Sequence, residues 1–388
     1  MPGITSLPVE LYDKITQHYA RNPSREANEH NTYRLKTYEF GPSKHETYKV
    51  KTQRLKNLRL VSKPLCQSAS RLLFRRFNAW FRGGEESPTV VAALTALQEL
   101  CQSDHARFVQ KLGVGCRGHD SKEACQEYLS YFQKVFASCL ERLPSLQRLT
   151  IIHCDRDATT TTIETTMEEA CIEAFQLVAL PKLKELHLWK VQGNSPYFSP
   201  PCNSTRPASA LQNLTYLDIN FNSVKDSRGG SWIFAAIQQN CCNLRHVNLD
   251  LSEDGSLSFI HQNAPLRSLS FYETTISCEQ LLMLRRFRDT VTDVDLKHVR
   301  LSSGVWAEVF MELSRFPVLR HLGVYVECGG DMLILNDNWL RCENYYEHWI
   351  RYTEHGTANH GLNCLALDAC RRQVLRNRKD GSSGYCLE

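Results

Sequence analysis

The sequence predicts an α/β fold: a small all-helical module at the N-terminus, followed by an irregular α/β solenoid with a parallel sheet on its concave side. Two observations support this prediction. The apolar pattern Φ-x-x-Φ-x-Φ, in which Φ is an apolar residue, occurs eight times, and successive copies begin 22 to 43 residues apart. Residues 1–82 carry 16 Lys and Arg against 6 Asp and Glu, a balance of +10 in a chain of net charge +4. The chain therefore has two parts with different surface chemistry.

The repeated pattern indicates how the larger part is built. Its copies are Leu146/Leu149/Ile151, Leu183/Leu186/Leu188, Leu214/Leu217/Ile219, Leu244/Val247/Leu249, Leu266/Leu269/Phe271, Val291/Val294/Leu296, Leu319/Leu322/Val324 and Leu362/Leu365/Leu367. This period is typical of leucine-rich-repeat solenoids, in which each unit adds a short strand and a helical return and shares its core with its neighbours. Val109, Leu112 and Val114 predict a ninth unit nearest the helical module. The helical returns are expected at about 164–179, 232–240, 256–263, 278–287 and 305–315.

Charge and periodicity divide the chain into three predicted segments. Residues 1–82 form the helical module, in which a basic stretch at about 21–54 is expected to be a flexible insertion because it has few apolar residues. Residues 83–370 form the solenoid. Residues 371–388 are rich in arginine and contain Gly-Ser-Ser-Gly, which predicts a basic, disordered tail.

The composition is that of an ordinary globular protein of 388 residues, 42% of them apolar and 23% charged. No apolar run reaches the ~18 residues that a transmembrane helix needs, and the first residues lack the basic and apolar regions of a secretory signal. The 16 cysteines are scattered along the chain, so we expect free thiols in a reducing compartment. The expected location is therefore cytoplasmic, nuclear or both, with no membrane partner.

Residues at both ends of the helical module resemble a known family. They are Leu7-Pro8-x-Glu10-Leu11 with Ile15, then Leu58-Arg-Leu-Val-Ser-Lys63 and Leu73-Phe74-Arg75. Together they resemble an F-box, in the form common among fungal F-box proteins with leucine-rich repeats. The second block lies further from the Leu-Pro pair than is usual in that family, and the 21–54 insertion takes the place of the usual connection between the first two helices.

This resemblance implies a three-helix module that docks on the Skp-type adaptor protein of an SCF ubiquitin ligase. It also implies that the solenoid holds a target protein, which the sequence does not identify. The residues that the resemblance places in the docking surface are Leu7, Pro8, Leu11, Ile15, Leu58, Leu60, Val61 and Phe74.

The polar positions within the repeats predict the target-binding surface. Side chains alternate along a strand, so residues between the inward-facing anchors point to the solvent-facing side of the sheet. These positions hold Arg148, Lys184, Glu185, His187, Tyr216, Asp218, Arg245, His246, Asn248, Arg267, Asp293, Asp295, Arg320 and His321. We expect target contacts at all of them except Lys184, Glu185 and Asn248. Mixed Tyr, Arg and acidic side chains suit protein recognition.

One motif suggests a nucleotide-dependent enzyme. Gly113-Val-Gly115-Cys-Arg-Gly118 matches the G-x-G-x-x-G pattern whose glycines let a pyrophosphate approach a helix N-terminus. The match ends with the glycines, because the next acidic strand end, Asp155, lies 37 residues after Gly118 and the expected separation is about 20 residues.

Two cysteine-containing segments also suggest chemistry. His153-Cys154-Asp155 holds the residue types of a thiol hydrolase, but neighbours on alternating sides of a strand end do not meet as a catalytic pair. Cys241, Cys242 and His246 have a spacing that fits no zinc pattern. We therefore expect no catalysis, no metal and no cofactor.

The functional prediction is a non-catalytic, substrate-recruiting subunit of a ubiquitin ligase. The alternative is a leucine-rich-repeat scaffold whose N-terminal helices only cap the solenoid, and the third hypothesis is the nucleotide-dependent enzyme. Nucleic acid is not an expected partner, because the 21–54 insertion has only eight Lys and Arg against four Glu and no nucleic-acid-binding motif accompanies it.

Overall fold

A computed structural model describes the protein over ten stretches of the chain. They are residues 8–20, 52–82, 90–117, 122–152, 167–191 apart from 168, 169 and 172, 209–221, 232–250, 257–328, 331–335 and 358–382. Leu7, most of the 21–54 insertion, the His153-Cys154-Asp155 segment and residues 383–388 lie outside these stretches.

Three helices form the N-terminal module: α1 (Val9–Ala20), α2 (52–58) and α3 (Lys63–Leu73). Their shared core consists of Tyr12, Leu55, Leu58, Leu65 and Ala69. Helix α3 begins after Ser62, whose hydroxyl accepts a hydrogen bond from the Leu65 N–H at 3.4 Å and so satisfies one of the free donors of the first turn. Asp13 of α1 also accepts hydrogen bonds from Ser68 (2.5 Å) and Arg71 (3.1 Å) of α3.

Over the described residues, the larger part is built on one sheet of eleven strands. They are β1 (Arg76–Arg82), β2 (Lys111–Arg117), β3 (Arg148–Ile152), β4 (Glu185–Val191), β5 (Tyr216–Phe221), β6 (His246–Asp250), β7 (Ser268–Tyr272), β8 (Thr275–Ile276), β9 (Asp293–Leu301), β10 (His321–Cys328) and β11 (Asp331–Leu335). The strands lie side by side in sequence order, with the short β8 beside β9, and all pairs are parallel except β10 with β11. The predicted α/β class and parallel sheet are confirmed, and the strand order is that of a solenoid-like stack.

Helices precede most of the strands and pack on one side of the sheet. They are α4 (Ala92–Gln102), α5 (Lys122–Glu141), α6 (173–177), α7 (Trp232–Asn240), α8 (Cys278–Leu282), α9 (Trp306–Leu313) and α10 (Ala358–Ser382), with 3-10 turns at Ala106–Phe108, Ser209–Leu211 and Met283–Phe287. Helical returns are thus present in four of the five predicted places. The fifth, 256–263, forms turns and no helix over its described residues 257–263.

One hydrogen-bond pattern recurs from unit to unit and holds the units in register. The carbonyl of Lys184, one residue before β4, accepts the N–H groups of both Thr215 and Tyr216 at 2.9 Å. The same double contact to the next unit is made by the carbonyls of Gln110, Gln147, Thr215, Arg245, Arg267 and Thr292. Each unit therefore sets the register in which the next strand of the sheet begins.

Most of the predicted repeat copies lie on strands. The seven copies from Leu146 to Val324 coincide with β3 to β7, β9 and β10, and the ninth unit coincides with β2. The copy Leu362/Leu365/Leu367 was predicted wrongly, because these residues lie in α10, where Leu362 is 60% and Leu365 68% exposed. The buried side of that helix instead follows helical spacing from Asn363 through Ala366, Leu367, Cys370 and Val374.

The predicted disordered tail is also corrected. Residues 371–382 form the second half of α10, which packs on α9. The buried Asn377 side-chain amide donates hydrogen bonds to the Phe316 carbonyl (3.0 Å) and the Leu319 carbonyl (2.8 Å). The arginines that made the segment look disordered lie on a helix whose other side is apolar. Among the described residues, no helix combines the length and apolar character required to cross a membrane.

The boundary of the helical module lies earlier than residue 82, because β1 is a strand of the sheet. Phe74, which ends α3, marks the junction: its ring stacks on His105 at 4.4 Å, and the Arg59 guanidinium lies 5.4 Å from it. Burial and the Arg59 charge lower the pKa of His105, which favours a neutral stacked ring. Phe74, predicted as a docking residue, is partly buried by this contact, and its role in docking stays a prediction.

We expect Asn377→Ala to lower the free energy of unfolding by about 1–3 kcal/mol, because two buried carbonyls would lose their donor. Urea unfolding followed by circular dichroism measures the change. Arg376→Ala, at an exposed position of the same helix, is the control and should change stability by less than about 0.5 kcal/mol. Equal stability of the two variants would contradict an ordered C-terminal helix.

Candidate functional site: the polar face of the sheet

The side of the sheet opposite the buried Leu, Ile and Val residues, here named the polar face, carries three rows of side chains. The first two rows are in continuous register, and the third has no paired residues between Asp250 and Tyr272. The first row is Arg76, Lys111, Arg148, Glu185, Tyr216, His246, Ser268, Asp293 and His321. The second row is Asn78, Gly113, Thr150, His187, Asp218, Asn248, Ser270, Asp295 and Gly323. The third row is Trp80, Gly115, Ile152, Trp189, Asn220, Asp250, Tyr272, Lys297 and Tyr325.

The structure places most of the predicted target-binding residues in the first two rows. These are Arg148, His187, Tyr216, Asp218, His246, Asp293, Asp295 and His321. Arg245, Arg267 and Arg320 do not belong to the polar face, because each precedes its strand by one residue and lies exposed at the sheet edge where the strands begin. In the first four positions of the repeat, Φ-x-x-Φ, the strand begins at the second x residue, whose side chain points away from the buried anchors. The three arginines occupy the first x position, which precedes the strand.

The third row was missed by the sequence analysis. Its polar and aromatic members include Trp189, Asn220, Asp250, Tyr272 and Lys297, each directly after the last apolar anchor of its repeat. The six-residue template stops at that anchor, although the strand continues. Extending the alternation by one residue would have found them.

The centre of the polar face is a hydrogen-bonded group, here named the central cluster. Its members are Glu185, His187, Trp189, Tyr216, Asp218, Asn220, Asn248 and Asp250. The His187 Nδ1 lies 2.9 Å from the Asp218 carboxylate, which also accepts a hydrogen bond from the Trp189 indole N–H at 3.2 Å. His187 was predicted to be solvent-facing, yet it is only 8% exposed, because Trp189 and Tyr216 pack against its ring.

Tyr216 is fixed within this cluster as a neutral phenol. The Asn248 amide donates a hydrogen bond to its hydroxyl at 2.6 Å, and its ring lies 5.1 Å from that of His187. Burial, with the charge of Asp218, raises the pKa of Tyr216 to about 12. The residue can therefore act as a hydrogen-bonding aromatic surface and not as a base.

Asp250 is the most perturbed acid of the cluster. Burial raises its pKa to about 7, with further contributions from Glu273 and Asp218, while a hydrogen bond from the Asn220 amide opposes the shift. Among the described residues, no lysine or arginine lies within 4 Å of the Asp218 or Asp250 carboxylate. Within the cluster, Arg148 pairs with Glu185, whereas Asp218 and Asp250 have no cationic partner among the described residues.

Strands β1 to β3 carry the opposite charge. Arg76, Lys111 and Arg148 are direct register partners. Burial, followed by Arg148, lowers the pKa of Lys111, as expected when like charges stand on neighbouring strands. Arg148 forms an ion pair with Glu185 at the border between the two regions. The polar face is therefore basic at one end and acidic at its centre.

The two described glycines of the G-x-G-x-x-G motif serve strand packing. A Cβ on Gly113 would lie 2.7 Å from the Trp80 indole nitrogen, and one on Gly115 would lie 2.0 Å from the Ile152 carbonyl oxygen. Gly115 also has a φ of +140°, and its N–H donates to the Tyr128 hydroxyl at 3.0 Å. Trp80 and β3 thus account for both glycines without a nucleotide.

The helical module presents a second candidate surface, which is apolar. Its exposed side chains are Val9 (47%), Leu11 (41%), Ile15 (43%), Leu60 (87%) and Val61 (64%). We name these five residues the apolar patch, and Pro8 is exposed beside them. Leu58 does not belong to the patch, contrary to prediction, because it is 9% exposed and packs in the module core.

Comparison with known proteins adds little to this geometry. No protein-family model matches the sequence, and no curated protein matches it. Among solved structures, the chain is similar to a protein from Bacteroides fragilis with 12% sequence identity and a TM-score of 0.33, over 66% of this chain and 76% of that one.

We expect Asp250→Asn to stabilise the protein at high pH and to have little effect at low pH. The folded-state pKa of about 7 lies above the ordinary value of 3.8, so the folded protein retains a proton that the unfolded chain has lost, and stability falls as pH rises through that window. Asparagine removes this cost. Urea unfolding should show a gain of about 1–2 kcal/mol near pH 8, after allowance for partial exposure, and almost none near pH 4.

The matched control for this measurement is Asp289→Asn, whose side chain is 74% exposed. At this exposed position the substitution should change the free energy of unfolding by less than about 0.5 kcal/mol. A pH-independent effect of Asp250→Asn would show that the carboxyl group titrates normally in the folded protein.

Proposed function

We propose that this protein is the substrate-recruiting subunit of an SCF-type ubiquitin ligase. In this proposal the helical module binds a Skp-type adaptor and the polar face holds a target protein, in the cytoplasm or the nucleus. The observation that carries the proposal is the apolar patch on a module that already has its own core. Leu60 and Val61 are adjacent in the chain and 87% and 64% exposed, which provides apolar surface that a partner would cover.

The distribution of apolar residues within the module supports this assignment. Helix α1 directs Tyr12 and Thr16 inward, while Leu11 and Ile15 remain exposed one position before each. The turn after α2 leaves Leu60 and Val61 outside the core. Five large apolar side chains of the module therefore lie outside its core and are exposed. That arrangement fits a docking surface for a partner with an apolar groove.

The polar face supports the second half of the proposal. It offers three ordered rows of Arg, Asp, His, Trp and Tyr side chains, the residue types that dominate protein-binding hot spots. The chain itself performs no chemistry in this proposal. Tethering a target beside the ubiquitin-transferring enzyme raises the effective concentration of the target's lysines, so that transfer becomes nearly intramolecular.

A binding assay with purified full-length protein and purified Skp-type adaptor tests the proposal. We expect Leu60→Asp/Val61→Asp to weaken adaptor binding by at least about tenfold, because two carboxylates would be buried against apolar groups. Thermal melting should be unchanged, since both side chains are exposed. Leu362→Asp/Leu365→Asp is the matched control, with two similarly exposed leucines on α10, and should bind normally.

Absence of adaptor binding by the unsubstituted protein would sink the proposal and favour the alternative, a protein-interaction scaffold. The stacking of Phe74 on His105 favours that alternative to the extent that it makes the module a cap of the sheet. In that case Phe74→Ala would lower the melting temperature, and no condition would yield adaptor binding.

A further inference from the structure

His187 has an unmet hydrogen bond inside the central cluster. The Asp218 carboxylate can only accept, so the His187 ring donates through Nδ1. The Nε2 atom is buried without a hydrogen-bond partner among the described residues and lies 3.8 Å from the Glu185 carboxylate, which already pairs with Arg148. The central cluster therefore holds one buried polar atom whose hydrogen bond a ligand would complete.

The surroundings of His187 define the kind of ligand group that fits beside it. Asp218 and Asp250 stand on adjacent strands in neighbouring rows, and neither has a lysine or arginine partner among the described residues. Trp189 and Tyr216 supply aromatic surfaces beside them. A guanidinium group meets these requirements together, because it is positively charged, carries five N–H donors in one plane and stacks on aromatic rings.

Basic residues on β1 and β2 lie at a fixed distance from the central cluster, and they add a second requirement for the ligand. Lys111 lies three strands away from Asp218, and Arg76 lies one strand further. Among the described residues, neither has a carboxylate partner within 4 Å. Neighbouring strands are about 4.8 Å apart and the two residues also differ by two positions along the strand direction, so Lys111 and Asp218 are separated by roughly 16 Å, the span of about five residues of extended chain.

We infer that the polar face binds an extended segment of the target protein with an arginine at the central cluster and an acidic residue at Lys111 and Arg76, roughly three to six residues apart. This inference rests on the proposed role of the polar face in holding the target. A polyanion such as nucleic acid is disfavoured by Glu185, Asp218 and Asp250. A uniformly basic segment is disfavoured by Arg76, Lys111 and Arg148.

Selection from a library of short random peptides displayed on phage, with the purified full-length protein as bait, tests this inference. We expect enriched peptides to pair a basic residue, arginine above lysine, with Asp or Glu at the stated spacing. The Asp218→Asn/Asp250→Asn variant should lose the preference for the basic residue. Lys111→Glu should lose the preference for the acidic residue and keep the basic one. Asp289→Asn should select the same peptides as the unsubstituted protein.

Direct binding of the most enriched peptide, measured by fluorescence anisotropy, completes the test. Asp250→Asn alone should weaken binding by at least about tenfold, and Asp289→Asn should change it less than about twofold. Asp250→Asn is expected to be the more stable protein at neutral pH, so weaker binding would not reflect unfolding. Selection without paired charges, or identical selection by the Asp218→Asn/Asp250→Asn variant, would overturn the inference.

The peptide selection and the adaptor-binding assay test different surfaces of the protein, so their outcomes are independent. The apolar patch takes no part in peptide binding, so Leu60→Asp/Val61→Asp should select the same peptides. A chain that selects them but binds no adaptor would refute the ligase role alone. A chain that binds the adaptor but selects no charged pair would refute only the inferred target chemistry.

Discussion

Each unit of the sheet buries apolar strand residues that only its neighbours can cover, and the rest of the molecule depends on this shared burial. In β6 the buried residues are Val247 and Leu249, which stand in register with Leu217 and Ile219 on one side and Leu269 and Phe271 on the other. A slip of one residue would turn these side chains to solvent and bury polar ones in their place. The paired contacts to carbonyls such as that of Arg245 oppose the same slip. Register is therefore the most strongly determined property of the fold.

The same register has an electrostatic cost. It places Arg76, Lys111 and Arg148 side by side and brings Asp218 close to Asp250, and the pKa values of Lys111 and Asp250 are displaced away from the charged state. Each displacement means that the folded protein would be more stable with a neutral side chain there. Stability alone does not account for these residues. A ligand with complementary charges would offset this cost.

The apolar anchors were predictable because the spacing within each six-residue repeat determines which side chains are buried. Seven of the eight repeat copies lie on strands. The copy at Leu362 failed because three leucines at these spacings are compatible with either a strand or a helix, and the pairing of Asn377 with Phe316 and Leu319 that stabilises α10 is not local. Strand β1 was missed although Phe74, Phe77 and Ala79 fit the template, since a small Ala at the last anchor gives a weak signal and Phe74 was assigned to the F-box resemblance. The hydrogen bonds of His187 depend on strand pairing across 31 residues, which one sequence does not reveal.

The two ends of the sheet show why capping and docking are compatible roles for the helical module. A solenoid needs covered ends. Near the first strand, Phe74 stacks on His105 before the 3-10 turn that leads to β2, and near the last strands α10 packs on α9 and contacts β10. Capping therefore uses the residue that ends α3, whereas the apolar patch lies on α1 and after α2. Since the two sets share no residue, a module that only capped the sheet would gain nothing from leaving Leu60 and Val61 exposed. Under the proposed function, the adaptor would contact the exposed residues and leave the attachment through Phe74 in place.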